Sequence, residues 1–92
     1  MAELPREELI EFYGKECVHC NTMKPLVERL EKEEGLKIKK LETWHNQENE
    51  KIWKEMDKGF CGGVPLFVNQ KTGDKICGAV SYDRLKAWAL GK

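Results

Sequence analysis

The sequence predicts an α/β domain with a four-stranded mixed sheet, the element order βαβαββα and helices on both faces of the sheet. Three observations predict this fold class. Short apolar runs alternate with segments in which apolar residues recur every three or four positions, as on one face of a helix. Glycines separate most of these segments. The last two strand-like runs are joined by a short link containing Gly, which is typical of a hairpin.

The first half of the chain supplies a strand, a helix and a second strand. Residues 1–8 form a polar lead-in with at most a turn of helix. Leu9–Tyr13 is a continuous apolar run, so we expect a central strand buried on both faces. A helix over Val18–Glu34 follows, kinked at Pro25 and ended by Gly35. Its apolar stripe consists of Met23, Leu26, Val27 and Leu30.

The second half begins with a strand over Leu36–Thr43 and a helix over Asn46–Lys58. The inner side of this helix and its continuation consists of Ile52, Trp53, Met56 and Phe60. Two strands follow, Pro65–Asn69 and Asp74–Cys77, and Ser81 is the N-cap of the last helix. That helix buries Leu85, Trp88 and Ala89.

Length and charge limit the classes of protein that fit. The 92 residues suffice for one modest core, so we expect a single domain over residues 1–92. Sixteen basic and sixteen acidic residues cancel, which gives no electrostatic reason to expect a nucleic-acid or membrane partner. The start of the chain lacks the apolar run of a secretory signal. We therefore expect a monomeric cytoplasmic protein.

The motif Cys17-Val18-His19-Cys20 lies where the first strand gives way to the first helix. A helix N-terminus offers unpaired N–H groups and a partial positive charge, both of which favour a thiolate. In such a position the pKa of a cysteine falls from about 8.5 to roughly 3.5–7.5. Because the thiolate is the attacking species in disulfide exchange, the motif predicts a dithiol/disulfide redox centre.

Other readings of the four cysteines stay open at this stage. Cys17 and Cys20 could be a structural pair or half of a zinc site, although Cys61 and Cys77 do not form a second Cys-x-x-Cys pair. Cys61 is interpreted as an ordinary core or loop residue, with a third redox thiol as the alternative. Cys77 is expected to be buried and inert. The motifs predict no bound metal and no cofactor.

Three stretches together resemble the thioredoxin superfamily, in its small, glutaredoxin-sized branch. They are Ile10-Glu11-Phe12-Tyr13 leading to Cys17-Val18-His19-Cys20 with Pro25 after it, then Gly63-Val64-Pro65, and then Cys77-Gly78-Ala79 followed by Ser81 and Leu85. The resemblance runs from about Leu9 to the C-terminus. It implies the thioredoxin fold in a minimal form, without the additional N-terminal strand and helix of larger members.

The resemblance also implies roles for the motif. Cys17 would be the nucleophile that forms a mixed disulfide with the substrate, and Cys20 would resolve it. His19 would stabilise the Cys17 thiolate, a feature that the more oxidising relatives share. Val18 stands where proline is common, and Glu16 stands where thioredoxin itself has tryptophan.

The substrate would bind beside the cysteines. By the resemblance, Pro65 is a cis-proline, and the backbone of Val64 faces the disulfide and pairs with an extended substrate segment as an added strand. Gly63 and Val18 complete the predicted substrate-binding residues.

Glu11 is the candidate acid/base. In an otherwise apolar central strand its pKa should rise, and the resemblance places it below Cys20 with Lys40 close to it. The alternative for Glu11 is a partly solvated carboxylate without a catalytic role.

The predicted function is a thiol-disulfide oxidoreductase that acts on protein disulfides. Its partners would be disulfide-containing proteins and an upstream thiol reductase or small-thiol donor. The alternatives are a glutathione-dependent glutaredoxin, a metal or thiol carrier, and a redox-silent adaptor. Glutaredoxins usually carry a Gly-Gly pair and acidic residues after the fourth strand to hold glutathione, and Gly78-Ala79-Val80-Ser81 does not supply them.

Overall fold

The computed structural model describes residues 4–92, which form a four-stranded mixed sheet and three helices. The elements are β1 (Leu9–Tyr13), α1 (Val18–Glu34), β2 (Lys39–Glu42), α2 (Gln47–Asp57), β3 (Leu66–Asn69), β4 (Lys75–Cys77) and α3 (Tyr82–Leu90). The predicted element order and fold class are confirmed. Within the described residues, every helix is too short or too polar to cross a membrane.

The sheet has the strand order β2-β1-β3-β4, so β1 and β3 are central. β1 runs parallel to β2, and α1 provides the crossover that a parallel pair needs. β1 and β3 are antiparallel, and β3 and β4 form the predicted hairpin. Four of the five residues of β1 are buried, as the continuous apolar run predicts.

Two apolar cores lie on opposite faces of the sheet. The residues beneath α1 and α3 include Leu9, Met23, Val27, Leu30, Phe67, Leu85 and Trp88. The residues beneath α2 include Ile10, Phe12, Ile52, Met56, Leu66 and Val68. Because side chains alternate along a strand, Glu11 lies on the same face of β1 as Leu9, under α1.

Ser81 and Gly35 lie at helix ends as predicted, and Asn46, which was predicted as the first residue of the second helix, is its N-cap. The side-chain oxygen of Asn46 accepts a hydrogen bond from the backbone N–H of Asn49 at the start of α2. Ser81 does the same for Arg84 at the start of α3. α1 continues through Pro25 and ends at Gly35, which has a φ of 63°.

The second strand is shorter than predicted. Leu36–Thr43 was expected to be extended throughout, but the ladder covers only Lys39–Glu42. The backbone N–H of Ile38, just before the ladder begins, donates to the Glu31 carboxylate of α1 at 3.0 Å.

Phe60 does not lie on the inner side of α2, and that prediction is wrong. The helix ends at Asp57, and Lys58 adopts a left-handed conformation with a φ of 49°. The chain turns away from the core there, and Phe60 is 56% exposed.

The predicted polar lead-in is only partly described, since residues 1–3 lie outside the described residues. Residues 4–7 have no regular secondary structure, so this part contains no turn of helix. The side-chain amide of Gln70 donates to the carbonyl groups of Pro5 and Glu7 and holds the segment next to β3.

Candidate active site

Cys17 and Cys20 lie at the junction between β1 and α1. Cys17 is the N-cap of α1 and Cys20 lies in the first turn. Their Cα atoms are 5.2 Å apart and their Sγ atoms form a disulfide. Cys17 is 5% exposed and Cys20 is 3% exposed, so both members of the oxidised pair are buried.

The surroundings of the Cys17 sulfur favour negative charge. The backbone N–H of Cys20 donates to Sγ at 3.1 Å, and the first turn of α1 contains no acidic residue. A thiolate at this place would keep that N–H bond and the partial positive charge of the helix end. The carbonyl oxygen of Val64 lies 3.7 Å from Sγ, where it would accept the proton of a neutral thiol.

Val18 and His19 lie on the exposed side of the first turn. Val18 is 73% exposed, which leaves an apolar side chain in solvent beside the disulfide. Among the described residues, Cys17 Sγ accepts the Cys20 N–H and lies next to the Val64 carbonyl oxygen, and His19 makes no hydrogen bond to it. Any effect of His19 on Cys17 would act through charge or after reduction.

Glu16 and His45 form an ion pair immediately before Cys17, with His45 Nε2 at 2.8 Å from the Glu16 carboxylate. The hydrogen bond lowers the pKa of Glu16 and raises the pKa of His45. No local sequence pattern indicates this pair, because the two residues are 29 positions apart. When His45 is protonated, its charge offsets that of Glu16 next to Cys17.

The segment before β3 faces the disulfide. The Val64–Pro65 peptide bond is cis. The Gly63 carbonyl accepts the indole N–H of Trp53 at 3.2 Å, and the Pro65 carbonyl accepts the Gly78 N–H at 2.8 Å. The structure thus brings Gly63, Val64 and Pro65 to the same place as Cys17, although they are more than 40 residues away in the sequence.

A groove of about 170 Å³ adjoins Val64, with walls formed by Trp44, Trp53, Glu50 and residues 62–64. Trp44 is 53% exposed and lies over Gly14, where any Cβ atom would collide with the indole ring. Trp53, which was expected in the core, is only half-buried and presents its N–H to the segment 62–64.

Glu11 is buried, with 4% of its surface exposed, and it shares a cavity of about 530 Å³ with Cys20 and Lys40. Burial raises the pKa of Glu11 to about 7, and the charge of Lys40 offsets part of this rise. Lys40 is the residue paired with Glu11 across β1 and β2, but its ammonium group contacts Glu31 at 3.1 Å. The cavity therefore holds, near Cys20, a carboxyl group that is partly protonated at neutral pH.

The structure contains a second disulfide, between Cys61 and Cys77, with Cα atoms 5.4 Å apart. The expectation that Cys77 is buried is wrong, because it is exposed at the end of the edge strand β4. Cys77 pairs with Leu66, and this register brings it to the loop that contains Cys61. The hairpin register was the signal in the sequence that could have indicated the bond.

Metal-ligating side chains are dispersed. Across residues 4–92, no group of three or more His, Cys, Asp or Glu side chains comes together in an arrangement that could hold a metal ion. Cys61 is bonded to Cys77, so it does not join Cys17 and Cys20 as a third ligand in this state.

Comparison with solved structures places the chain beside glutaredoxins. It superposes on the glutaredoxin grx-1 of Archaeoglobus fulgidus with a TM-score of 0.69 at 17% identity, over 91% of this chain and 87% of that one. A wheat glutaredoxin gives a TM-score of 0.59 at 20% identity, over 94% and 74%. A buckwheat glutaredoxin in complex with glutathione gives 0.59 at 21% identity, over 92% and 71%.

These likenesses show the fold. The chain has the thioredoxin fold at the size of a glutaredoxin, as the sequence predicted. No protein-family model matches the chain, and no curated protein sequence matches it.

Proposed function

We propose that this protein is a thiol-disulfide oxidoreductase that exchanges its Cys17–Cys20 disulfide with disulfides of protein substrates. One observation carries the proposal: the Cys17 sulfur caps α1 and accepts the Cys20 N–H, with the Cys20 sulfur within bonding distance. This arrangement favours a thiolate at Cys17 and provides a neighbouring thiol to resolve a mixed disulfide.

In the reducing direction, the Cys17 thiolate attacks one sulfur of the substrate disulfide. That bond breaks, its electron pair leaves with the second substrate sulfur, and a mixed disulfide forms. The Cys20 thiolate then attacks Cys17 Sγ and expels the first substrate sulfur. The substrate gains two electrons and two protons, and the Cys17–Cys20 disulfide is restored. An upstream thiol reductase or small-thiol donor returns the pair to the dithiol.

Glu11 is proposed to accept the proton of Cys20 before the resolving step. Its carboxyl group lines the same cavity as Cys20, and a pKa of about 7 makes it an effective base near neutral pH. Lys40, which lowers this pKa, is a supporting residue. His19 is proposed to favour the Cys17 thiolate through its charge when protonated.

The substrate is proposed to be an extended polypeptide segment. Val64 offers its backbone next to Cys17, with Gly63 and Pro65 on either side, and an added strand could pair there. The exposed side chains of Val18 and Trp44 provide apolar contact around the disulfide. A cytoplasmic monomer is proposed on the balanced composition of the chain.

Glutathione is the second candidate substrate, favoured by the likeness to glutaredoxins, one of which is described in complex with glutathione. Against it, the segment Gly78-Ala79-Val80-Ser81 offers no acidic side chain, and Asp83 follows only within α3. A glutathione-coupled assay with a small mixed disulfide, run beside a protein-disulfide assay, separates the two substrates.

The test is the reduction of insulin disulfides by dithiothreitol. The protein should accelerate the reaction, and Cys17→Ser should return the rate to that of dithiothreitol alone because the nucleophile is lost. Pre-reduced Cys20→Ser, mixed with insulin after the dithiothreitol has been removed, should accumulate a mixed disulfide that mass spectrometry detects, since the internal resolving thiol is missing.

Lys32→Ser is the matched control, because it places the same residue at an exposed position near the other end of α1. It should retain full activity. If the Cys17→Ser variant kept the rate of the unmodified protein while circular dichroism showed a normal fold, the proposal would be refuted.

A further inference from the structure

The Cys61–Cys77 disulfide has no part in the exchange reaction proposed above. It joins the loop before Pro65 to the last residue of the edge strand β4. Cys77 is exposed, whereas Cys61 is half-buried. The Cys77 side of the bond is therefore accessible to thiols in solution.

Residues 61–64 depend on side chains for their position. Within the described chain, no backbone–backbone hydrogen bond of the loops and turns involves these four residues. Two of the four are glycines, and Gly62 has a φ of 73°. Glycine restricts the backbone least, so the segment has little conformational preference of its own.

Three side-chain restraints hold the segment. The carboxylate of Asp57, only 3% exposed, accepts the N–H groups of Cys61 and Gly62, both at 2.8 Å. The indole of Trp53 donates to the Gly63 carbonyl. The third restraint is covalent, the bond from Cys61 to Cys77.

Along the chain, the covalent restraint lies close to Val64, the residue whose carbonyl group is next to the catalytic sulfur. Only Gly62 and Gly63 separate Cys61 from Val64, whose carbonyl oxygen is 3.7 Å from Cys17 Sγ. Residues 62–64 also form one wall of the groove that Trp44 and Trp53 line. A change at Cys61 therefore reaches the backbone that the proposed substrate would pair with.

We propose that the Cys61–Cys77 disulfide is a positioning crosslink whose redox state sets substrate affinity at the Cys17–Cys20 site. This inference rests on the proposed exchange function. When the crosslink is oxidised, residues 62–64 are held ready for an extended substrate. When it is reduced, the segment loses its covalent restraint and substrate binds more weakly, while transfer at Cys17 continues.

Reduction requires a dithiol, such as a protein dithiol or dithiothreitol. One of its thiolates attacks the exposed Cys77 sulfur, and the electron pair of the broken bond leaves with Cys61, which takes up a proton. The second thiol of the reductant then attacks the mixed disulfide and releases Cys77 as a thiol. Two electrons and two protons pass to the crosslink, and the reductant becomes a disulfide. Intracellular disulfides that serve as redox sensors are usually transient in this way.

The test compares the oxidised full-length unmodified protein with C61S/C77S in the oxidising direction, with a peptide dithiol as substrate and glutathione disulfide as the terminal oxidant, so that no added reductant opens the crosslink during the assay. We expect KM to rise about fivefold to tenfold and kcat to stay within about twofold, because lost preorganisation weakens binding without changing the reacting sulfurs. Hydrogen exchange of the Cys61 and Gly62 amides should accelerate at least about tenfold.

Leu30→Ala is the matched control. It truncates a fully buried side chain in the core on the other face of the sheet, so it lowers stability without touching residues 61–64. We expect the KM of this variant to stay unchanged. The exchange rates of the two amides should also stay unchanged once they are corrected for the lower global stability.

Two outcomes would overturn the inference. One is an unchanged KM and unchanged amide exchange in C61S/C77S. The other is the detection, by alkylation and mass spectrometry, of thiols at Cys61 and Cys77 in the air-oxidised protein. If the unmodified protein had no exchange activity, the proposed function would fail, and the amide exchange rates would still decide whether the crosslink positions the segment.

Discussion

Glu11 is a charged residue type in a buried strand, where the loss of water disfavours the ionised form of its carboxyl group. It lies in a central strand with four of five residues buried, and burial raises its pKa to about 7. The unfolded chain would hold the same carboxyl near its ordinary value of 4.5. Between these two values the folded protein binds more protons than the unfolded chain, so stability must fall as the pH rises.

Glu11→Gln should remove this pH dependence. The contribution of Glu11 to the free energy of unfolding should decrease by about 3 kcal/mol between about pH 4 and pH 8, at 1.36 kcal/mol for each unit by which folding raises its pKa. The variant should lack this contribution and be the more stable protein at pH 8. Urea unfolding at a series of pH values measures both.

Glu7→Gln is the control for this experiment, since Glu7 is exposed in the lead-in to β1. Its pH profile should follow that of the unmodified protein. A Glu11→Gln profile parallel to the unmodified one would show that the carboxyl titrates normally and that burial does not control it.

At the scale of elements, the β3–β4 hairpin links substrate binding to the edge of the sheet. β4 has three residues and pairs on one side only, so it gains few ladder bonds. The Cys61–Cys77 bond closes a loop with a sequence separation of 16 that contains all of β3. Such a crosslink stabilises mainly by restricting the unfolded chain.

Removing this crosslink should lower stability measurably. For a loop of this length, loop-closure entropy predicts a loss of about 3 kcal/mol in C61S/C77S. Urea unfolding under non-reducing conditions checks the value. In C17S/C20S the loss should be smaller, because that disulfide spans a sequence separation of only 3. Equal losses in the two variants would contradict the loop-length argument.

At the scale of the whole molecule, the balanced charge removes any long-range field. The chain has a formal net charge of zero, and its ion pairs, such as Arg84–Asp74 and Lys86–Glu34, lie at the surface where salt screens them. Substrates should therefore approach by diffusion, without electrostatic steering.

The value of kcat/KM for disulfide peptides of either charge should change less than about threefold between about 0.05 and 0.5 M salt. A variant with added negative charge, Lys32→Glu together with Lys92→Glu, should show a clear salt dependence with a basic peptide. A tenfold or larger salt effect on the unmodified protein would instead reveal a local charged patch at the site.

Much of the fold could be predicted because its signals are local. Each of these signals acts within a few residues. They are the continuous apolar run of Leu9–Tyr13, the capping residues Asn46 and Ser81 and the terminal Gly35. The predictions were wrong at the boundaries of two elements. β2 begins at Lys39 rather than at Leu36, and the left-handed Lys58 turns Phe60 into solvent.

The sequence by itself determined the βαβαββα order and the position of Cys17 at the start of α1 within reach of Cys20, because these depend on contacts within about one helical turn. Only the tertiary structure decided the Cys61–Cys77 bond, the Glu16–His45 pair and the approach of Val64 to Cys17. Those contacts join residues separated by 16, 29 and 47 positions. Such residues meet only after the strands have paired in register, because the pairing supplies the free energy that closes the intervening loops.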